Sequence, residues 1–291
     1  MTAIGSESEW GTVDSWWHGF VQQQEADLYA LRDRFDDLDN RWARSECLFN
    51  QDPSAEDWTE TNPQAGPLRG QEENWSQWLA HLCRSSATFT RELFDLVDDT
   101  LPTSVRCERA YHDEELHDRR VDIEIRWPTR AISIEVKIND EAYGKTPQTA
   151  YLTELNNDSY EWQHYLLLPR AKLAALKDAF GSQLEQSAEG RSKIQPDGSE
   201  ESPITVIYWD EVSHTLRRVL LNDAGPASHW TASGYLFTTL IEQQILRHYA
   251  APALDVYIEA AIGVSDIDRL QSIEPEAQLE YLDAVVEVAD E

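Results

Sequence analysis

Two short stretches, separated by three residues, alternate strictly between apolar and polar side chains. They are 120–127 (RVDIEIRW) and 131–139 (AISIEVKIN). Because successive side chains of a β-strand point to opposite faces, each stretch predicts a strand with one apolar face. The separator Pro128-Thr129-Arg130 predicts that the two strands form a hairpin. A chain built around this hairpin must bury its apolar face against another layer of structure.

Weaker signals on both sides of the hairpin complete the expected fold. Strands are predicted at 104–111, 162–168 and 204–209, helices at 71–98, 146–157, 170–180, from about 213 onward and at about 265–289, and a loop at 182–202. Strands and helices are interleaved in the middle of the chain, which indicates an α/β layered core. The expected organisation is an N-terminal helical extension (1–50), a loop or linker (51–70), the core (71–212) and a C-terminal helical region (213–291).

The N-terminal extension is expected to hold a long helix over 12–48. Its residues Leu28, Leu31, Phe35, Leu38 and Trp42 follow at spacings of 3, 4, 3 and 4, which is a heptad seam. The seam packs either on the body of the same chain or on a second copy, which would give a homodimer through this helix. The run is short for a coiled coil, and this favours packing within the chain.

The charge balance bears on the environment of the protein. The chain has 54 Asp+Glu against 24 Lys+Arg, a formal net charge of -30, and only five of its cations are Lys. A uniformly acidic, Lys-poor surface suits molar salt, where the Debye length falls to about 3 Å. We therefore expect a halophilic, archaeal protein. Because such acidity is an adaptation to salt, it does not exclude a nucleic-acid partner, and local charge decides.

Other features narrow the compartment. No stretch of the chain approaches the roughly 20 consecutive apolar residues of a membrane span. The N-terminus lacks the basic head and apolar run of a secretory signal. Its three Cys are widely spaced without a CxxC, which argues against a structural zinc site and a disulfide framework. We expect a cytoplasmic protein with no membrane partner.

The polar face of the hairpin carries the candidate chemistry. Glu135 and Lys137 share one face of the second strand, about 7 Å apart by the strand rise. Asp122 on the first strand lies on the same face as these two residues if the residue numbers of each cross-strand pair add up to an odd number. Two carboxylates from neighbouring strands form a hard oxygen site that suits Mg²⁺, and a nearby ammonium can stabilise developing negative charge. The alternative is a solvated strand face with an ordinary Glu–Lys pair.

The length of the turn sets which residues face each other. A four-residue turn, 128–131, places Asp122 opposite Lys137, and a two-residue turn, Pro128-Thr129, places it opposite Glu135. Pro-Thr is poorly suited to the tight primed turns, which need positive φ. The four-residue turn is therefore expected.

The stretch RRVDIEIRWPTRAISIEVKIN resembles the core of the PD-(D/E)XK nuclease superfamily, with Asp122 followed by Glu135-Val136-Lys137. Val121 replaces the weakly kept Pro of the family name. Upstream, GQEENWSQWLAHLCRSSATFTRELFDLV resembles the opening helix of one branch, which carries a glutamate. Downstream, Gln148 with Tyr151 lies where that branch has a glutamine-bearing helix. The resemblance covers roughly residues 70–210.

This resemblance implies a mixed central sheet of four to five strands flanked by helices, a restriction-endonuclease-like core. It implies that Asp122, Glu135, the carbonyl of Val136 and Glu73 bind Mg²⁺ or Mn²⁺, with Glu72 as the alternative to Glu73. It implies that Lys137 positions or activates a water and that Gln148 orients the water or a phosphate. The catalytic set is then Asp122, Glu135, Lys137, Gln148 and Glu73.

The implied activity is metal-dependent hydrolysis of DNA phosphodiester bonds, in host defence or DNA repair, with a protein partner in such a system as a further option. Cations near the hairpin suit phosphate contacts: Arg106, Arg109, Arg119, Arg120, Arg126, Arg130 and Lys145. Two alternatives stay open. One is a nuclease fold that binds nucleic acid or a protein without cutting, and the other is an acidic helical assembly protein.

Overall fold

A computed structural model arranges seven strands in one mixed sheet of order β1-β2-β3-β4-β7-β6-β5. The strands are β1 (Ser104–Tyr111), β2 (Arg119–Arg126), β3 (Arg130–Val136), β4 (Glu161–Leu168), β5 (Leu184–Glu185), β6 (Lys193–Ile194) and β7 (Ile204–Tyr208). The β3–β4 and β4–β7 pairs are parallel and the others are antiparallel. The α/β class and the mixed sheet are confirmed.

The predicted count of four to five strands was wrong. All five predicted strands form, and the stretch 182–202, predicted as a loop, adds the two-residue strands β5 and β6. A two-residue strand is too short to show alternation in a sequence. β6 is instead defined by its pairing with β7 in the folded chain.

The structure describes residues 7–57, 72–112, 119–156, 159–186, 191–196, 202–222, 225–254 and 275–289. The chain divides into two units. The terminal unit comprises Met1–Ser45, Phe49–Asp57 and His248–Glu291, and the sheet unit comprises Glu46–Leu48 and Trp58–Arg247. The sheet unit thus extends beyond residue 212, where the core was expected to end. Residues 58–70 of the expected linker, and 265–274 of the last expected helix, lie outside the described residues.

Helices flank the sheet, as predicted. Those of the sheet unit are α2 (Glu72–Ser85), α3 (Ala87–Phe94), α4 (Thr146–Leu155), α5 (Leu173–Phe180), α6 (Trp209–Leu221) and α7 (Ser228–Leu240). The single helix expected at 71–98 is two, because the side chain of Ser86 caps the second one by accepting the N–H of Phe89. Between the sheet and α4 and α5 lies a core cluster that includes Leu166, Leu168 and Leu176.

The β2–β3 hairpin has the shorter of the two turns considered. Arg126 pairs with Ala131 and Ile123 with Ile134, so the residue numbers of each pair add up to 257. In this register the turn between the strands has two residues, Pro128-Thr129. The expected four-residue turn was wrong. Neither turn residue has a positive φ, so this is not a primed turn. The turn is instead held from outside, because the N–H of Glu161 at the start of β4 donates to the carbonyl of Thr129 at 2.9 Å.

The terminal unit contains the predicted long helix, α1 (Glu7–Arg44), and α8 (Pro275–Ala289). The five seam residues Leu28, Leu31, Phe35, Leu38 and Trp42 are all buried within the single chain. α1 packs along α8, and Arg34 and Arg41 bind Asp283 and the carbonyl of Val286. The seam is therefore covered by its own chain, which supports the first of the two sequence interpretations over the homodimer.

Among the described helices, none has both the length and the apolar character needed to cross a membrane.

Candidate functional site

The candidate site lies where the β2–β3 ladder stops. The amide of Lys137 donates to the carbonyl of Leu167 on β4 at 2.8 Å, so the preceding amide, that of Val136, points toward β2. There it donates to Oδ2 of Asp122 at 2.7 Å, after the last paired position Ile123–Ile134. The side chain of Asp122 thus takes the place of a main-chain acceptor and is anchored between the two strands.

Glu135 and Lys137 form a close ion pair beside this anchor. Nζ of Lys137 lies 3.0 Å from Oε1 of Glu135, and their side chains are only 9% and 14% exposed. Nζ also lies 3.3 Å from Oδ2 of Asp140. Oδ1 of Asp140 accepts the N–H of Ala142 at 3.0 Å, which fixes its carboxylate. The ammonium of Lys137 is therefore held between two carboxylates.

Lys137 lies one residue beyond β3, although the sequence predicts a strand through Asn139. The shortening follows from Glu72 at the start of α2. Its Oε1 accepts the consecutive amides of Ile138, Asn139 and Asp140 at 2.6, 2.9 and 3.3 Å. Amides that converge on one carboxylate oxygen cannot also extend a sheet ladder.

The buried acids of the site resist ionisation. Burial, together with the charge of Glu135, raises the pKa of Asp122 to about 7. The hydrogen bond from the Val136 N–H and the charge of Lys137 lower this pKa but do not outweigh burial. Burial also raises the pKa of Glu135, although Lys137 opposes that effect. For Lys137, burial disfavours the charged form, but the neighbouring Glu135 carboxylate dominates and raises the pKa. Lys137 is therefore an ammonium at neutral pH, whereas burial disfavours the charged forms of both acids.

The structure separates the two glutamates that open α2. Glu72 binds the segment after β3, and its charge acts on Glu135. Glu73 instead lies 3.5 Å from Arg120, and both side chains are more than half exposed. Of the two, Glu72 is the one whose position is tied to the Asp122–Glu135–Lys137 group.

Gln148 lies in the first turns of α4 and is exposed. Its Oε1 accepts a hydrogen bond from Nη2 of Arg119 at 2.6 Å. Because the carbonyl oxygen of Gln148 is engaged, its amide N–H groups remain as donors for a second partner. α4 packs against β2, β3 and β4, so Gln148 is carried on the helix that covers this part of the sheet.

Two acids near the site were missed by sequence analysis. Asp140 is three residues beyond Lys137, a spacing that signals nothing outside a helix. Glu108 on β1 lies between the pairs Cys107–Ile123 and Arg109–Val121, level with Asp122. It contacts Arg120, and its charge adds to the raised pKa of Asp122, an effect smaller than that of burial. Glu108 has φ 57°, a left-handed conformation that is uncommon for a residue with a side chain.

The carboxylates of Asp122 and Glu135 fit a small divalent cation that keeps several of its waters. Within the described residues, no group of three or more His, Cys, Asp or Glu side chains is arranged to hold a metal ion. Mg²⁺, however, is commonly bound through one or two carboxylates while it keeps several waters. Oε2 of Glu135 is buried and has no hydrogen-bond partner in the described part of the chain. Asp122 and Glu135 are thus the residues that could hold such an ion.

Several arginines near the hairpin are engaged by acids of the chain itself. Arg109 and Arg126 bind the fully buried Glu124 at 2.9 and 2.8 Å. Arg130 lies 3.5 Å from Asp98. Any phosphate contact by these side chains would require them to exchange partners.

Comparison with known proteins gives no match: no protein-family model, no curated protein and no solved structure is similar to this chain.

Proposed function

We propose that the protein is a metal-dependent nuclease of the PD-(D/E)XK type that hydrolyses phosphodiester bonds of DNA. The observation that carries the proposal is the meeting of Asp122 with Glu135 and Lys137 at the end of the β2–β3 ladder. Oδ2 of Asp122 accepts the amide N–H of Val136 at 2.7 Å, and Val136 lies between Glu135 and Lys137 in the sequence. Nζ of Lys137 lies 3.0 Å from Oε1 of Glu135. Two acids and an ammonium in one place match the charges that such hydrolysis requires.

Each residue has a role in this proposal. Asp122 and Glu135 bind Mg²⁺ or Mn²⁺, with the carbonyl of Val136 as a third ligand. The ion, when bound, neutralises the phosphate and lowers the pKa of a water. Lys137 stays protonated and donates hydrogen bonds to the attacking water or to the phosphate oxygens as their charge grows. Gln148, oriented by Arg119, offers its amide N–H groups to a phosphate oxygen.

The two glutamates of α2 take different parts. Glu72 holds the segment after Lys137 in place through three main-chain amides. Glu73 is the candidate for an outer contact to the ion, after release from Arg120. The reaction breaks one P–O ester bond of the backbone and forms one P–O bond to the water oxygen.

A plasmid-cleavage assay in molar KCl with Mg²⁺ or Mn²⁺ tests this proposal. Asp122→Asn and Lys137→Met are expected to lower the cleavage rate by about 100-fold or more, since removing one electrostatic stabiliser commonly costs that much. Asp178→Asn and Lys177→Met, on exposed positions of α5, are the matched controls and should cleave normally. Cleavage that survives both site substitutions, or a folded wild-type protein that does not cut, would reject the proposal.

A second candidate is a nuclease-fold protein that binds nucleic acid or a protein partner without cutting. It is favoured by the ion pairing of Lys137, whose ammonium is already held between the carboxylates of Glu135 and Asp140. In that case the wild-type protein would retain DNA in a binding assay at moderate salt, with or without Mg²⁺, and would leave the plasmid intact.

A further inference from the structure

A serine, a histidine and a glutamate form a hydrogen-bonded chain next to the candidate site. Oγ of Ser133 on β3 lies 2.6 Å from Nδ1 of His164 on β4. Nε2 of His164 lies 2.8 Å from Oε1 of Glu154 on α4. The ring of Trp162 stacks on that of His164 at 5.9 Å with an interplanar angle of 6°, which fixes the plane of the imidazole.

This chain does not form a nucleophilic centre, because Ser133 and His164 are only 6% and 2% exposed and no substrate can reach the hydroxyl. Its hydrogen-bond directions follow from the charge of Glu154. The hydrogen bond to His164 holds the pKa of Glu154 below its usual value against the effect of burial, so Glu154 is an ionised acceptor. His164 therefore donates through Nε2, and in the neutral imidazole this leaves Nδ1 as the acceptor of the Ser133 O–H. The lone pairs of Ser133 Oγ remain available.

A small cavity lined by both polar and apolar residues lies beside this hydroxyl. Its volume is about 10 Å³, and its lining includes Ser133, Glu135, Thr146, Thr149 and His164. This is about the size that one water molecule needs. Two polar atoms of the lining residues, Oε2 of Glu135 and Oγ1 of Thr146, are buried without a hydrogen-bond partner among the described residues. Buried polar atoms without partners are uncommon in proteins and point to a bound water.

We propose that this cavity binds one structural water molecule that joins Thr146, Ser133 and Glu135. The water accepts the hydroxyl of Thr146 and donates to Ser133 Oγ and to Glu135 Oε2. These three hydrogen bonds satisfy both orphaned atoms and match the usual number for a buried water. The directions are consistent along the whole chain, from the ionised Glu154 through His164 and Ser133 to the water.

The consequence for the site rests on the proposed function. A carboxylate oxygen has two lone pairs, so Oε2 of Glu135 can accept the water and still face a metal ion. Ser133, Thr146 and His164 are then positioning residues that fix the carboxylate plane of Glu135. Removing such outer partners typically weakens metal binding by about 10- to 100-fold.

A crystal structure at a resolution that shows ordered waters tests the water site directly. A density peak within hydrogen-bond distance of Thr146 Oγ1, Ser133 Oγ and Glu135 Oε2 is expected in the wild-type protein and absent in Thr146→Val. The matched control is Thr153→Val, because Thr153 is a buried threonine of the same helix whose hydroxyl donates to the carbonyl of Thr149 and is not part of the cavity lining. An empty cavity in the wild-type protein would overturn the proposal.

Mn²⁺ affinity measured by calorimetry tests the positioning role. Thr146→Val, or Ser133→Ala if the first variant does not fold, is expected to weaken Mn²⁺ binding by about 10-fold, and Thr153→Val by less than about twofold. Equal affinities in a folded variant and the wild type would overturn the positioning role. A wild-type protein that shows the density peak but binds no Mn²⁺ would instead reject the proposed metal-dependent activity and leave the water site established.

Discussion

Oδ2 of Asp122 accepts the main-chain N–H of Val136 at 2.7 Å, in the position where the next rung of the β2–β3 ladder would fall. An acid that replaces a main-chain carbonyl is both fixed in space and removed from water. This anchoring holds Asp122 near Glu135 and away from water, and burial together with the charge of Glu135 raises the pKa of Asp122 although the hydrogen bond itself lowers it.

Asp122→Asn is expected to stabilise the protein at pH 8 by on the order of 2 kcal/mol. Asparagine keeps an oxygen for the Val136 N–H but removes a charge whose burial is unfavourable. Since burial raises the pKa of Asp122 from 3.8 to about 7, the folded wild type binds a proton that the unfolded chain lacks between these values. The stability gain should therefore be full above pH 7 and fade as the pH falls toward 4.

Urea unfolding at several pH values, in molar KCl, measures this gain. Asp98→Asn is the control, because the side chain of Asp98 is 66% exposed and its replacement should change the free energy of unfolding by less than about 0.5 kcal/mol. A destabilised Asp122→Asn at pH 8 would contradict the burial argument.

Lys137→Met is expected to lower the free energy of unfolding by about 3 kcal/mol, because it leaves the Glu135 carboxylate buried without its partner. The double variant Glu135→Gln/Lys137→Met should recover much of this loss. A double-mutant cycle measures the coupling. The exposed pair Lys172–Glu141, 3.3 Å apart with Glu141 62% exposed, is the matched control and should couple by less than about 1 kcal/mol. Equal couplings for the two pairs would show that Lys137 and Glu135 are solvated in solution.

Glu72→Ala is expected to cost about 2 kcal/mol, since three amides of the segment after β3 lose their common acceptor. Glu73→Ala removes the same side chain one position later and should change stability by less than about 0.5 kcal/mol, because Glu73 is 54% exposed. Amide hydrogen exchange of Ile138 and Asn139 gives a local readout. Exchange should accelerate in Glu72→Ala alone, and equal acceleration in both variants would contradict the assignment.

The stability of the protein is expected to rise steeply with KCl. A net charge of -30 repels itself at 0.1 M salt, where the Debye length is about 10 Å, and much less at 1 M, where it is about 3 Å. Thermal unfolding followed from 0.1 M to molar KCl measures the effect. Sucrose at equal osmolality stabilises by exclusion without screening, and it should raise the melting temperature less than KCl. Indifference to salt would reject the halophilic interpretation.

Local patterns predicted the elements well where one face of the element is buried. The alternation in 120–127 and 131–139 predicted β2 and β3, and the heptad spacing predicted α1 and its covered seam. The turn between β2 and β3 was mispredicted, because its backbone is held by Glu161 of a strand that lies far along the sequence. The strands β5 and β6 were missed for a similar reason, because they form by tertiary pairing, β6 with β7 and β5 with β6.

The sequence alone determined that the chain is an acidic α/β protein with Asp122 and Glu135 on neighbouring strands and Lys137 close behind Glu135, because alternation and charge are properties of consecutive residues. Only the tertiary structure decided the rest. It tied Glu72 to the segment after β3 through hydrogen bonds spanning 66 to 68 residues, it brought Asp140 to Lys137, and it joined Ser133, His164 and Glu154 into one hydrogen-bonded chain. Such contacts depend on which distant segments become neighbours in the fold, and a periodic pattern within one segment does not indicate this.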